Sequence, residues 1–154
     1  MMSILRSGLL LLLGTTAALA ADPAPPPAGT SNTVRVPPMK TSIYVGNVTL
    51  TPSVFLRRGD DYEASYEARV WPWFFWSETG MVSITVSEAD LARVGRGETI
   101  EFSGKGANQR HKPRTVTGRV QPADATSGKI KIRIGADGLT LVFNGTYRLE
   151  NTSK

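Results

Sequence analysis

Residues 129–134 read Lys-Ile-Lys-Ile-Arg-Ile, so every second residue is apolar. A period of two turns one face of a β-strand toward a core and the other toward water. The same alternation occurs at Val82, Ile84 and Val86, and again along residues 62–70. Because each of these segments has one apolar and one polar face, the sequence predicts half-buried antiparallel strands.

Turn residues divide the chain into further strands. Gly59-Asp60-Asp61, Asp137-Gly138 and Asn144-Gly145 separate apolar segments, and the last two match the chemistry of two-residue hairpins. We therefore expect strands at 139–143 and 146–149, with a turn between them. Residues 104–113 are expected to form a long solvated connection.

Residues 87–94 carry the one helix signal. Ser87 can cap the first turn, Val86 and Leu91 have the spacing of a hydrophobic staple, and Gly95 can close the helix. About eight or nine strands with one short helix predict an all-β fold. We expect a single antiparallel β-sandwich or a small β-barrel.

The chain divides into four predicted segments. Residues 1–20 have one cation, an apolar run and a small-residue end, the order of a secretory signal peptide. Residues 21–39 are rich in proline and are expected to form a flexible leader. The all-β domain is expected at 40–150, followed by a tail at 151–154. We expect an exported protein, periplasmic or extracellular, with no transmembrane span after signal removal.

The residue inventory narrows the chemistry. The 154 residues include no cysteine and one histidine, which excludes disulfides, thiolate nucleophiles and multi-histidine metal centres. Small secreted eukaryotic domains usually carry disulfides, so the bacterial envelope is the expected compartment. No serine lies in a Gly-x-Ser-x-Gly elbow and no phosphate-binding loop is present. We expect a protein that is not an enzyme and that has no cofactor or metal.

Positive charge is concentrated in the C-terminal part. Residues 103–154 carry 10 Lys or Arg and 3 Asp or Glu, within a formal net charge of +5 for the chain. Such a surface attracts lipid headgroups or acidic glycans. Nucleic acid is not an expected partner, because the basic segment has no aromatic residues for base stacking. The candidate binding residues are Lys105, Arg110, Lys112, Arg114 and Arg119.

Five aromatic residues lie between positions 71 and 76, interrupted only by Pro72. Their combined surface, at ~150–250 Å² each, exceeds what a soluble monomer usually exposes. We therefore expect most of the run to be buried, in the core or against a partner. A lipid-facing lip and a sugar-stacking platform of Trp71, Trp73 and Trp76 remain open.

These observations predict an exported, non-catalytic binding or scaffolding module. Its basic C-terminal half would contact an anionic envelope component, either a lipid headgroup or an acidic glycan. Two alternatives remain. One is a carrier that holds an apolar ligand inside a β-barrel, with the aromatic run at its mouth. The other is a carbohydrate-binding module that uses the run from Trp71 to Trp76.

Overall fold

A computed structural model describes residues 33–151 of the chain. This range contains ten strands, one α-helix and one turn of 3-10 helix at Phe74–Trp76. In chain order the strands and the helix are β1 (Thr33–Arg35), β2 (Met39–Ile43), β3 (Gly46–Pro52), β4 (Phe55–Arg58), β5 (Asp61–Trp71), β6 (Glu78–Thr85), α1 (Glu88–Gly95), β7 (Ile100–Asn108), β8 (Pro113–Pro122), β9 (Ser127–Ala136) and β10 (Leu139–Glu150).

The strands close into an eight-stranded antiparallel barrel, which confirms the predicted all-β fold and decides between a barrel and a sandwich. The closed ring runs β5-β4-β1-β10-β9-β8-β7-β6 and returns to β5. Strands β2 and β3 pair with each other and continue β1 and β4 past a bend. Along β5, β4 pairs with residues 61–63 and β3 pairs with residues 66–71. The β1–β10 and β5–β6 ladders close the ring, whereas β2 pairs with β3 alone among the described strands and keeps a free edge.

The period of two decides which side chains fill the barrel. Along β9, Ile130 and Ile132 are buried, whereas Lys129, Lys131 and Arg133 are exposed. The same alternation holds on β5, β6 and β8. Phe143 of β10 is the most deeply buried large side chain in the described range. The interior is therefore filled by side chains along most of its length.

Helix α1 closes one end of the barrel. Ser87 caps the helix, because its Oγ accepts a hydrogen bond from the Asp90 backbone N–H at 3.1 Å. Val94 is buried and Leu91 packs against the core. The predicted cap is confirmed. The prediction that Gly95 ends the helix is wrong, because Gly95 is still helical. Gly97, two residues later, has the left-handed φ of 81° that often follows the end of a helix.

Three predicted boundaries differ from the structure. The barrel begins by Thr33 rather than at residue 40, because β1 pairs with β4 and β10. Strand β7 continues to Asn108, which shortens the predicted loop at 104–113. Asn144-Gly145 is not a turn, since β10 pairs with β9 without interruption from Leu139 to Arg148.

Other predictions fall outside the described residues. The signal peptide, residues 21–32 of the leader and residues 152–154 of the tail belong to this group. Between residues 33 and 151, no helix has both the length and the apolar character needed to cross a bilayer.

Candidate functional site

The end of the barrel opposite α1 contains a cavity inside the ring of strands. The β2–β3, β5–β6, β7–β8 and β9–β10 connections all lie at this end, because consecutive strands alternate in direction. The cavity has a volume of about 370 Å³. Its apolar walls come from inward-facing side chains that include Ile43, Val48, Val70, Leu141 and Phe143. We call it the mouth cavity.

The mouth cavity contrasts with the rest of the interior. Beneath it, the middle of the barrel leaves a gap of only about 30 Å³, and the space next to α1 measures about 70 Å³. Small-molecule sites usually measure about 300–1,000 Å³. Of these three interior spaces, only the mouth cavity reaches that range. Two larger depressions, of about 670 and 590 Å³, lie on the outer surface of the barrel and are lined mostly by exposed residues.

Four polar side chains form a buried cluster between the mouth cavity and the packed core. Arg114 donates two hydrogen bonds to the Glu78 carboxylate, from Nε to Oε1 at 3.0 Å and from Nη2 to Oε2 at 2.7 Å. Tyr66 Oη donates to Glu78 Oε1 at 2.9 Å, and Asn108 Nδ2 donates to Glu78 Oε2 at 3.0 Å. We call these residues the polar cluster. Its carboxylate accepts four hydrogen bonds and is fully satisfied.

The surrounding backbone holds the polar cluster in place. Gly80 leaves room for the Tyr66 ring, because a Cβ there would lie 2.8 Å from Tyr66 Cε1 and Cζ. Asn108 Oδ1 accepts hydrogen bonds from the backbone N–H groups of Arg110 and Lys112, both at 3.0 Å. The cluster therefore also fixes the β7–β8 turn at the cavity rim.

The hydrogen bonds of the cluster determine its charge state. Burial alone would raise the pKa of Glu78, but the hydrogen bonds from Arg114, Asn108 and Tyr66, together with the charge of Arg114, lower it to about 2. Burial and the hydrogen bond to Glu78 raise the pKa of Tyr66, and the hydrogen bond to Glu78 raises that of Arg114. At neutral pH the cluster is thus an ion pair held by neutral donors.

The five aromatic residues from Trp71 to Trp76 lie on the rim of the mouth cavity, and we call them the aromatic lip. The run is not part of the core, so that half of the prediction is wrong, and burial against a partner stays a prediction. The exposed fractions are 70% for Trp71, 41% for Trp73, 74% for Phe74, 57% for Phe75 and 55% for Trp76. The run begins at Trp71, the last residue of β5, and continues through the β5–β6 connection, where it leaves the sheet. Phe75 and Trp76 also line the cavity.

The structure separates the five predicted basic residues into two groups. Arg110 and Lys112 lie at the rim of the mouth cavity together with Arg114. Arg114 is a correction to the prediction of a surface cation, because its side chain is 5% exposed and paired with Glu78. Lys105 and Arg119 are exposed on the outer wall, on β7 and β8. The five cations therefore do not form one contact surface.

A more compact basic surface lies on the outside of β8 and β9. Arg119 is the cross-strand neighbour of Lys131, next to Lys129 and Arg133 on the same face. Arg119 contacts Glu101 at 3.1 Å. Lys129, Lys131 and Arg133 form no ion pair with another residue in the range 33–151. We call the four cations the outer basic face.

The polar cluster was missed in the sequence, although a signal was present. Arg114 lies two residues before Val116, and Glu78 lies four before Val82, so the period of two places both on the inner face. Neighbouring positive charges made Arg114 resemble a surface residue. An inward-facing arginine and an inward-facing glutamate near the same end of a predicted barrel would have indicated a buried pair.

Comparison of the chain with known protein families, curated proteins and solved structures finds no match.

Proposed function

We propose that the protein is an exported carrier that holds a small apolar ligand, or the apolar part of an amphiphile, in the mouth cavity. The observation that carries this proposal is the cavity of about 370 Å³ at one end of a closed barrel. Barrels of eight strands have an interior wide enough to be filled by side chains or to hold one small ligand. This barrel is filled near α1 and open near the aromatic lip.

The chemistry of the walls supports an apolar ligand. The polar cluster is internally satisfied, so it offers no unpaired charge to a ligand inside the cavity. Aliphatic side chains such as Ile43, Val70 and Leu141 form much of the wall. Arg110 and Lys112 stand at the rim, where a polar group of an amphiphile would meet solvent.

A neutral, environment-sensitive dye tests the proposal. We expect N-phenyl-1-naphthylamine to bind the wild-type protein with increased fluorescence, and lipids with short acyl chains to displace it. Ala68 lines the cavity, so Ala68→Phe should fill part of it and weaken dye binding by at least tenfold. Thr51→Phe is the matched control, because Thr51 is exposed on the neighbouring β3.

The dye could also adsorb to exposed aromatic rings, and a second control removes that ambiguity. Phe74 is 74% exposed and does not line the cavity, so Phe74→Ser should leave dye binding unchanged. Equal dye affinity in Ala68→Phe and wild type would contradict the carrier function.

The outer basic face supports a second candidate function, the predicted contact with an acidic glycan. Lys129, Lys131 and Arg133 project from one face of β9 at intervals of about 6.6 Å. Such a row suits an extended polyanion, because successive cations can each meet a separate acidic group.

Retention on dextran sulfate tests this candidate. We expect Lys129→Ser/Lys131→Ser to elute at clearly lower salt than wild type. The matched control is Arg58→Ser/Arg69→Ser, which removes the same charge from cations that pair with Glu63 and Glu67. If both variants elute together, only net charge matters and the outer basic face is not a specific site.

The carbohydrate-platform alternative is less well supported by the ring geometry. A sugar stacks on aromatic faces that lie nearly in one plane. Neighbouring rings of the aromatic lip are inclined by 38° to 74°, and Phe75 meets Trp76 nearly edge-on. This arrangement presents ring edges in several directions and favours a projecting apolar surface over a flat platform.

A further inference from the structure

The aromatic lip is part of a larger apolar surface around the cavity opening. The β2–β3 turn adds exposed Tyr44 and Val45, and the start of β10 adds Leu139, which is 67% exposed. Leu139, Phe75 and Trp76 line the mouth cavity itself. Apolar side chains from three parts of the chain therefore surround one opening.

Contacts within the lip make it one structural unit. Trp73 Nε1 donates a hydrogen bond to the Val45 carbonyl oxygen at 3.1 Å, which ties the lip to the β2–β3 turn. The rings of Trp73, Phe75 and Trp76 have centroids 5.4–5.9 Å apart. No residue of the Phe74–Trp76 turn is buried. Four rings of the lip, those of Trp73, Phe74, Phe75 and Trp76, thus support one another, and Trp71 adds an exposed ring at the end of β5.

The exposed area is larger than a soluble monomer needs to carry. The five rings, of ~150–250 Å² each, together expose the equivalent of about three whole rings, on the order of 450–750 Å², and Tyr44, Val45 and Leu139 add to this area. Monomeric soluble proteins usually expose an apolar patch of at most about 300–600 Å². An apolar partner surface is therefore expected to cover the lip.

We propose that the lip docks on a lipid bilayer that contains anionic lipid, with its rings at the boundary between headgroups and acyl chains. Tryptophan and tyrosine concentrate at this depth in membrane proteins. Docking in this orientation would place the cavity opening against the acyl chains. The proposal deepens the carrier function, because it names the phase with which the cavity exchanges its ligand.

The position of the opening favours a bilayer over a protein partner. A protein that covered the lip would also cover the opening and block ligand entry. A bilayer covers the lip and supplies apolar molecules directly to the cavity. The projecting shape suits insertion to a depth of about 5–10 Å, which is typical of interfacial apolar surfaces.

Charge at the opening makes a smaller contribution to bilayer binding than the aromatic rings do. Arg110, Lys112 and Arg114 line the cavity together with the carboxylates of Glu78 and Asp137, which leaves a net charge of +1. Of the three cations, Arg110 and Lys112 are exposed. Docking should therefore depend mainly on the aromatic rings, with a preference of about fivefold for anionic over neutral vesicles.

Vesicle co-sedimentation tests the proposal on the whole processed chain. The probes are phosphatidylcholine vesicles with and without about a third phosphatidylglycerol. Trp71→Ser/Phe74→Ser should lower the vesicle partition coefficient roughly 10–100-fold, since both side chains are largely exposed in the free protein. Leu56→Ser is the matched control, because Leu56 is 50% exposed on β4, away from the lip.

Two further readouts locate the contact. Lipids brominated on their acyl chains should quench wild-type tryptophan fluorescence, and Trp71→Ser/Phe74→Ser should reduce that quenching. Arg110→Ser/Lys112→Ser should remove most of the preference for phosphatidylglycerol and keep binding to neutral vesicles.

Three results would overturn bilayer docking. They are equal vesicle binding by the lip variant and wild type, no vesicle binding by wild type, and lip-dependent self-association in sedimentation velocity in place of vesicle binding. Dye binding reports the carrier function and vesicle binding reports bilayer docking, so the two proposals can fail separately. A protein that binds the dye and ignores vesicles is a carrier without a docking lip, whereas Ala68→Phe should lose the dye and keep the vesicles.

Discussion

Arg114 Nη2 lies 2.7 Å from Glu78 Oε2, although 36 residues separate the two in the chain. Their side chains are only 5% and 19% exposed. Burying two charges is costly unless they are paired and fully hydrogen-bonded, and Tyr66 and Asn108 complete that pairing. Arg114 lines both the mouth cavity and the small gap beneath it, so the pair lies between the cavity and the packed core.

Removing one partner of this pair should cost much more stability than removing both. We expect Arg114→Met to lower the free energy of unfolding by about 3–5 kcal/mol, because Glu78 would lose its counter-ion. Glu78→Leu/Arg114→Met should recover most of that loss. Urea unfolding followed by far-ultraviolet circular dichroism measures both. A double variant as unstable as the single one would contradict a paired role.

The low pKa of Glu78 predicts acid sensitivity. Its pKa is about 2 in the folded protein and returns to its usual value near 4.5 in the unfolded chain. The stabilisation is therefore present above pH 4.5 and is lost as the pH falls toward 2. We expect a loss on the order of 2–3 kcal/mol across this window, measured by urea unfolding at several pH values. Glu78→Gln should flatten this part of the profile, and an unchanged slope would count against the assignment.

The inward face of β8 has no room at Gly118. A Cβ there would lie 2.8 Å from Phe102 Cε1 and 2.5 Å from the Lys131 carbonyl oxygen. We expect Gly118→Ala to destabilise the fold by about 2–3 kcal/mol through overpacking. The neighbouring Thr117→Ala, on the exposed face, should change stability much less. Thermal unfolding compares the two, and equal melting temperatures would contradict the assigned faces.

The Ser87 cap of α1 should contribute modestly to the stability of the fold. Ser87 Oγ accepts from the Asp90 backbone N–H and donates to Asp90 Oδ2 at 2.8 Å. Ser87→Ala should therefore cost about 1 kcal/mol. Ser103→Ala, at an exposed position on β7, serves as the control. Faster amide hydrogen exchange in α1 of the first variant alone would support the prediction, and identical exchange in both would refute it.

Much of the fold could be predicted because apolar and polar residues alternate along a half-buried β-strand. The alternation at 129–134 and the Asp137-Gly138 hairpin are both observed, and both turn residues have positive φ. Asn144-Gly145 shows the limit of local signals. Its turn chemistry is overridden by ten consecutive pairs between β9 and β10. Gly145 instead provides space, since a Cβ would lie 2.7 Å from Met39 Cγ and Sδ.

The candidate site was harder to predict because it depends on which end of the barrel stays open. Large aromatic side chains are usually buried, so the sequence favours the core or a partner interface for the run from Trp71 to Trp76. Helix α1 closes the opposite end, and the run projects at the open one. No pattern within the run itself distinguishes the two locations. The run is exposed because the arrangement of all the strands places it at the open end of the barrel.

Native mass spectrometry of the protein, purified without organic solvent, is the decisive test of the carrier function. We expect a population with one bound apolar molecule, which solvent extraction removes and Ala68→Phe does not retain. Thr51→Phe should carry the same molecule as wild type. Wild-type protein that shows only its bare mass, and that also fails to take up N-phenyl-1-naphthylamine, would contradict the claim that the barrel mouth is a binding site.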